Sequence, residues 1–376
     1  MPVAASSRVV LYGATGYTGE LTAREMARRG MRPVLAGRAR KRLDKLAAEL
    51  GGFEVQVADV HDPPSVAALV EEGDVLVTTV GPYTRWGEPA LMAALTKHAH
   101  YLDATGESTF IRRVFEFAGP RAESEGVALL TAMGFDWVPG NLAGTLALHE
   151  AGAHARRVRI GYFSDTSLAG TGVTSAISGG TRATIASTML DSAFAYREGR
   201  IARERPARRV AHFATHDGRE EPALSVGSSE HFTLPRLAAQ LLEVDVYIGG
   251  TGAASRPAQV LAAGADAAGR IPGTKAGLGF VARRLVRGSS GGPSHASRAR
   301  VRSLVTATAY DLDGAELHSV RLEGPNGYDL TAAFLAWGAE RIAAGELLSD
   351  GAIGPVEAFG LEELEGAARE YGLART

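Results

Sequence analysis

Gly13-Ala14-Thr15-Gly16-Tyr17-Thr18-Gly19 follows the apolar run Val9–Tyr12 and opens a helical pattern that reaches about Arg29. Strand, glycine turn and helix N-terminus in that order make an anion cradle, because the orphan N–H groups of a first helical turn and the helix dipole both point at negative charge. In such a cradle Gly13 takes the tight turn, Gly16 lets a pyrophosphate approach the backbone, and Gly19 lets the helix pack on the strand. A glycine triad alone is weak and could be a plain tight turn; its place on the first strand of a βαβ unit gives it weight. A second run, Val34–Ala36, ends in Gly37-Arg38, about 20 residues beyond Gly19. A protein reading the ribose of NAD places an acid there, whereas Arg38, with Lys41 and the neighbouring Arg40 and Arg42, suits a 2′-phosphate. The alternative is a solvated helix start. The expected cofactor is NADP(H).

A hydride carrier needs a proton source beside it. Tyr83, Asp103 and Asp136 each follow an apolar run, and each has a plainer role open to it. Tyr83 can be a packed aromatic, and Asp103, with Glu107 beyond Thr105-Gly106, can hold its loop. Asp136 sits between Phe135 and Trp137, where partial burial would raise its pKa and suit it to proton donation, or it caps the helix at Pro139. Val80-Gly81-Pro82 would bring backbone close to the nicotinamide ribose, or form a simple turn. Asp59, after the third run, either reaches the adenine edge or caps a helix near Pro63.

Several chemistries are excluded. The chain has no cysteine, so thiolate zinc sites, iron–sulfur clusters, disulfides and thiol catalysis all fail, and with them the acyl-phosphate reductases that share this opening. None of the ten tyrosines has a lysine four residues on, which removes the short-chain dehydrogenase pair. The histidines show no metal spacing, so no metal is expected. A net charge of −2 over 376 residues offers no electrostatic case for nucleic acid. The basic stretches Arg197–Arg209 and Arg283–Arg302 read as solvated surface, or else as a lure for an acidic carrier. Without a signal-like h-region or a run of ~18 apolar residues, a cytoplasmic location and no transmembrane segment are expected.

These residues need a frame. Short apolar runs at Val9–Tyr12, Val34–Ala36, Val55–Ala58, Val75–Val80, Tyr101–Leu102 and Val127–Thr131 alternate with helical patterns, the mark of an α/β, doubly wound parallel sheet of Rossmann type. The expected division is residues 1–138 for NADP binding, 139–325 for an α+β substrate domain, and 326–376 for C-terminal helices returning to the first. In the second part, strands are expected at Arg157–Phe163, Val244–Ile248, Arg300–Tyr310 and Glu316–Leu322, helices at Pro139–Glu150 and Arg182–Glu198, and a mobile loop at Gly288–Pro293. In the tail, Leu330, Ala333, Phe334 and Trp337 recur at helical spacing and need a partner surface. Gly351–Pro355 reads as a break between helices.

Four further stretches complete a likeness: Val80–Pro89, His100–Glu107, Gly134-Phe135-Asp136-Trp137-Val138-Pro139 and Gly351–Pro355. With the glycine loop they resemble the saccharopine dehydrogenase-like oxidoreductase family, including its trans-acting enoyl reductase branch. The likeness is dense over residues 7–142 and thin beyond, returning at Ser178–Thr181 and in the tail. It implies an NADP(H)-binding Rossmann domain and a second domain shaping a substrate cleft, without naming a substrate. The expectation is a reductase acting on a polarised C=C bond of a small or carrier-bound substrate. A C=N reductase or saccharopine-type dehydrogenase stands as the alternative; it should show converging arginines for carboxylates, and Arg182 and Arg236 are the residues to watch. A non-catalytic NADP-binding redox sensor is the competing class. A homo-oligomer is compatible with all of these.

Overall fold

The computed structural model describes residues 7–165, 193–215, 218–249 and 291–376. They fall into two compact units. One groups the residues through Thr105 with Phe110–Val138 and Gly327–Glu363; the other holds Gly106–Thr109, the described part of Pro139–Asn326, and Leu364–Thr376.

The first unit alternates strand and helix: β1 (Val9–Tyr12), α1 (Tyr17–Arg28), β2 (Val34–Gly37), α2 (Arg40–Glu49), β3 (Val55–Val57), α3 (Pro63–Ala67), β4 (Val75–Thr78), α4 (Tyr83–Trp86), α5 (Glu88–Lys97), β5 (His100–Asp103), α6 (Ser108–Arg113), α7 (Gly119–Ser124) and β6 (Ala128–Leu130). β1, β2 and β4 are buried along their whole length, which explains why they read as continuous apolar runs: helices cover both faces of a parallel sheet. With β15 (Gly351–Ala352) at one edge, the strand order is β15-β6-β5-β4-β1-β2-β3, parallel throughout. Strand order reverses between β1 and β4, so the loops leaving their carboxyl ends part and open a crevice, the usual place for a ligand in such sheets.

Two C-terminal elements complete this unit. Helix α11 (Gly327–Ala343) buries the stripe Leu330, Ala333, Phe334 and Trp337 and packs on α1, β4 and β5. A side chain at Gly338 would stand 3.0 Å from Leu102 Cδ2, so glycine lets the helix lie directly on the sheet. Arg29 and Glu340 form an ion pair between α1 and α11. The Trp337 ring meets Phe359, on α12 (Pro355–Phe359), edge-on at 4.6 Å. Gly351–Ala352 is β15, a seventh strand paired with Ala128 and Leu129 of β6, not a mere break between helices. Two residues are too few to carry a period that a sequence reading could detect.

The second unit holds a mixed sheet. β7 (Arg157–Asp165) pairs in parallel with β12 (Glu243–Ile248) and antiparallel with β13 (Arg302–Tyr310), which forms a hairpin with β14 (Glu316–Gly324). β8 (Ala193–Arg197), β9 (Arg200–Glu204), β10 (Val210–Ala214) and β11 (Glu220–Ser225) extend it. Helices α8 (Val138–Ala151), α9 (Glu230–Leu237), α10 (His295–Arg298) and α13 (Leu361–Glu370) flank the strands in sequence, and β16 (Ala374–Arg375) pairs with β14. The last residues, Leu364–Thr376, thus group with the second unit, and Gly327–Glu363 with the first. The helix expected over Arg182–Glu198 is corrected: its described end is β8, joined to β9 by Glu198 and Gly199 at φ 50° and 76°, the left-handed pair of a tight hairpin.

Arg182 and Ser178–Thr181 lie outside the described residues, as does part of Gly288–Pro293. Arg197 and Arg209, expected on a solvated surface, turn inward instead. Arg209 holds both oxygens of buried Glu204 at 2.9 Å and approaches Asp245 at 3.1 Å, while Arg197 also pairs with Asp245. Among the described residues, no helix is long and apolar enough to cross a membrane.

Candidate functional site

The glycine loop is fixed from within. Gly13 has φ +89°, and a Cβ there would stand 2.7 Å from Thr79 Oγ1 and 2.9 Å from Val80 Cγ2. The Gly13 and Ala14 amides both donate to Ala36 O of β2, at 2.9 and 3.1 Å. A Cβ on Gly19 would lie 2.2 Å from Gly13 O, so α1 starts against the loop only because that side chain is missing. Gly16 is different. It caps α1 in an extended conformation (φ −77°, ψ 168°), and a Cβ on it would meet nothing within 4 Å except Gly13 O at 3.2 Å. The crest of the loop is exposed and clear of side chains, with the first turn of α1 behind it, so it fits a pyrophosphate. Thr15, Tyr17 and Thr18 complete this crest.

The cationic side of the cradle is sorted by partners. Arg40 is occupied by Asp44 at 2.8 Å, and the Arg42 guanidinium donates to Thr15 O. Exposed Arg38 and Lys41, following Gly37, form no hydrogen bond or ion pair among the described residues. Two unspent cations at the end of β2 fit a 2′-phosphate. Replacing Arg38 with Ala is expected to weaken NADPH by roughly 10–150-fold, the equivalent of a lost charge-assisted bond, and NADH far less. Titrating both cofactors checks this, and equal losses would remove Arg38 from the phosphate site.

Asp59 does not cap α3; Asp62 holds that position. Its carboxylate accepts the His61 N–H at 2.9 Å instead, closing a local turn at the end of β3. Burial, reinforced by the Asp59 charge, pushes the Tyr12 phenol up to about 12.

The loop after β4 is bonded to the glycine loop: Thr79 N–H donates to Tyr12 O at 2.9 Å and Thr79 Oγ1 to Gly13 O at 3.2 Å. Val80, Gly81 and Pro82 therefore lie beside Gly13. Tyr83 turns away from a proton-donor role, because its hydroxyl donates to Thr78 O at 3.0 Å and accepts from Ala104 N at 3.4 Å, bridging the ends of β4 and β5. Its ring packs 5.7 Å from Phe110.

The two aspartates have opposite surroundings. Asp103 is completely buried and accepts the amides of Thr105 and Ala132, each at 2.9 Å, and the Thr131 hydroxyl at 2.9 Å. Burial raises it to about 6 despite these donors. It braces the turn after β6, where Ala132 sits at φ 62°, and its saturated carboxylate is that of a structural group. Asp136 is partly exposed and receives no hydrogen bond among the described residues. Desolvation alone raises it to about 6. It caps no helix, since the Val138 amide at the start of α8 goes to Gly134 O at 2.9 Å. A partly open acid with an elevated pKa at the carboxyl end of β6 can hold a proton and release it.

Sequence reasoning missed Arg42 as a partner of the loop and missed Thr331, whose hydroxyl accepts the Phe135 N–H at 3.0 Å. Neither had a local signal, because both partners are far away in sequence.

Residues 9–128 match the saccharopine dehydrogenase NADP binding domain. The trans-acting enoyl reductase of Mycobacterium leprae is 39% identical over 140 residues, 36% of this chain and 34% of that one. A Mycobacterium tuberculosis protein whose name carries the same description is 37% identical over 183 residues, 47% of this chain and 43% of that one. The chain thus matches less than half the length of these relatives. Apo saccharopine dehydrogenase (L-Glu forming) from Saccharomyces cerevisiae superposes over 98% of this chain and 99% of its own, with a TM-score of 0.59 and 12% identity; at that identity the likeness is one of fold. The cradle residues Gly13, Gly16, Gly19, Arg38 and Lys41 lie within the matched domain and fit the cofactor it binds. Over residues 9–128 the chain is thus similar to the NADP-binding domain of saccharopine dehydrogenases, and it shares part of its length with the trans-acting enoyl reductases.

Proposed function

We propose that the protein is an NADPH-dependent reductase acting on a polarised, enoyl-type C=C bond of a small or carrier-bound substrate. The observation that carries the reading is Asp136, a carboxyl raised to about 6 without a hydrogen-bond donor among the described residues, on the same sheet edge as the glycine loop. The names of the mycobacterial relatives support the C=C choice. Of the two arginines the imine alternative would use, Arg236 is an exposed residue of α9 and Arg182 lies outside the described residues.

Bound NADPH supplies a hydride to the β-carbon of such a substrate. The chain's own work is to hold the pyrophosphate on Gly13–Gly19, the 2′-phosphate on Arg38 and Lys41, and the nicotinamide end beside Val80-Gly81-Pro82. Protonated Asp136 gives its proton to the α-carbon and is reprotonated from solvent through its exposed side. Spectrophotometric NADPH oxidation with 2-enoyl thioesters, set against cyclic imines, tests the reading. Turnover of the thioester alone is expected; turnover of the imine alone would replace it, and tight NADPH binding without turnover of either would favour a sensor.

Asp136→Asn is expected to lower kcat by about 10²–10⁴-fold and to abolish the decline of rate above pH 6. Stability should move the other way. The folded pKa of about 6 lies above the unfolded value of ~3.9, so the ionised carboxylate lowers stability progressively from about pH 4 to 6, and fully above. Asparagine removes that penalty, at most ~3 kcal/mol and less because the site is partly exposed. Melting curves of the variant should therefore gain at pH 7.5 and match wild type at pH 3.5; a gain at both would place Asp136 in ordinary packing.

A further inference from the structure

We infer that the first turn of α11 positions the two halves of this site, Tyr328 steadying the glycine loop and Thr331 fixing the turn that carries Asp136. The inference rests on the roles given above to the glycine loop and Asp136. Tyr328 and Thr331 are three apart on the helix and so share a face. The Tyr328 ring meets Tyr17 edge-to-face, with centroids 5.1 Å apart and planes at 87°. Tyr17 is the first residue of α1, next to the exposed crest at Gly16.

Three residues along that face, the Thr331 hydroxyl accepts the Phe135 N–H at 3.0 Å and donates to Gly327 O at 2.7 Å. With both roles used, the hydroxyl has one orientation, and it pins the residue that precedes Asp136. Two glycines let the surfaces meet. A Cβ on Gly134 would be 3.0 Å from Thr331 Cγ2, and one on Gly327 would be 2.8 Å from the Phe135 ring. One short helical segment therefore touches the loop that cradles the pyrophosphate and the turn that presents the acid.

Its rigidity comes from the rest of the helix, seventeen residues long and packed on α1, β4 and β5. The spacing between Gly16 and Asp136 is thus set by a packed helix rather than by two independent loops. Proton transfer is steeply sensitive to such spacing. Tyr328 and Thr331 are positioning residues: they act through Tyr17 and Phe135.

The test uses the full chain and four variants: Tyr328→Leu, Tyr328→Phe, Thr331→Val and Thr331→Ser. Affinities for NADPH and for adenosine 2′-monophosphate, which has no group for the glycine loop, are titrated, and the Asp136 midpoint is followed by carboxyl NMR. Tyr328→Leu should weaken NADPH by roughly three- to tenfold, the worth of an aromatic pair, and leave the 2′-monophosphate, held at Arg38, within about twofold. Tyr328→Phe keeps the ring and should retain most of the NADPH affinity that Tyr328→Leu loses. Thr331→Val should keep NADPH affinity within about twofold while moving the Asp136 midpoint down towards that of a solvated carboxylate, and Thr331→Ser should restore it. The inference is overturned if Tyr328→Leu weakens both ligands equally or neither, or if Thr331→Val leaves the midpoint in place. Failure of wild type to bind NADPH would instead overturn the underlying reading.

Discussion

A chain ending at Pro325 is expected to lose cooperative unfolding altogether rather than melt a few degrees lower. The truncation removes α11, and with it Leu330, Phe334, Leu335, Trp337 and Ile342, each 4% exposed or less. Burying side chains of this size contributes ~1.5–3 kcal/mol apiece, so the five together contribute ~8–15 kcal/mol. A whole domain is stable by only ~5–15 kcal/mol. The cut also strips β15 from β6 and uncovers Leu102 and Met133, against which Gly338 now lies. Losing β16 trims the second unit as well, by a two-residue pairing, and that loss is small beside the first. Calorimetry together with dye binding to exposed apolar surface distinguishes the outcomes. The expected result is no sharp transition, strong dye binding and no NADPH binding; a truncated chain that binds NADPH and melts sharply at the full-length temperature would show that α11 is dispensable to the nucleotide-binding unit.

The parallel sheet was readable because each central strand is a short apolar run buried on both faces, and because helical patterns separate the runs. The stripe on α11 was equally plain, since Leu330, Phe334 and Trp337 recur at the helical period. β15 was hidden by its two-residue length. β8 to β11 were hidden for another reason: their ladders carry charged and small residues, such as Arg200, Arg203 and Glu204 in β9. Their buried ion pairs with β12 make sense only once the strands are side by side. An arginine count along the chain reads as solvated surface, whereas the folded sheet pairs Arg197 and Arg209 with Glu204 and Asp245 and leaves Arg200 outside.

The cofactor cradle was legible for a local reason. Seven consecutive residues supply the turn, the open crest and the helix contact, and Arg38 follows at the end of the next strand. The proton-bearing residues were not separable from sequence, because what distinguishes them is their partners. Asp103 is saturated by Thr131 and Ala132, 28 and 29 residues away, and Tyr83 is tied to Thr78 and Ala104. Asp136 stands out by having no donor among the described residues, a property that no spacing rule reports. Thr331 reaches Phe135 across 196 residues. Local chemistry could be read directly; roles set by tertiary partners needed the fold.

Gly16→Val and Gly19→Val are expected to fail in opposite ways, although both change one glycine of the same loop. At Gly16 the backbone is already extended, at φ −77° and ψ 168°, a region that β-branched residues adopt freely. The added Cβ would press only on Gly13 O at 3.2 Å, a contact that a shift of a few tenths of an ångström relieves. The fold should survive with Tm changed by no more than a few degrees, corresponding to less than ~1 kcal/mol. The valine methyls, however, would stand on the crest, where the pyrophosphate must approach the backbone. Affinity for NADPH should fall by about a thousandfold or more, since a displaced phosphate forfeits several charge-assisted bonds at once. At Gly19 the Cβ would lie 2.2 Å from Gly13 O and 2.8 Å from Thr79 Oγ1, and one of those atoms is backbone that cannot step aside without moving β1 or α1. That variant should lose several kcal/mol of stability by overpacking, and lose the cofactor because the loop itself has moved. Thermal unfolding and NADPH titration of the two proteins side by side separate the cases. Undiminished NADPH binding by Gly16→Val would place the pyrophosphate elsewhere, and a stable Gly19→Val would mean that α1 can lift from the loop without cost.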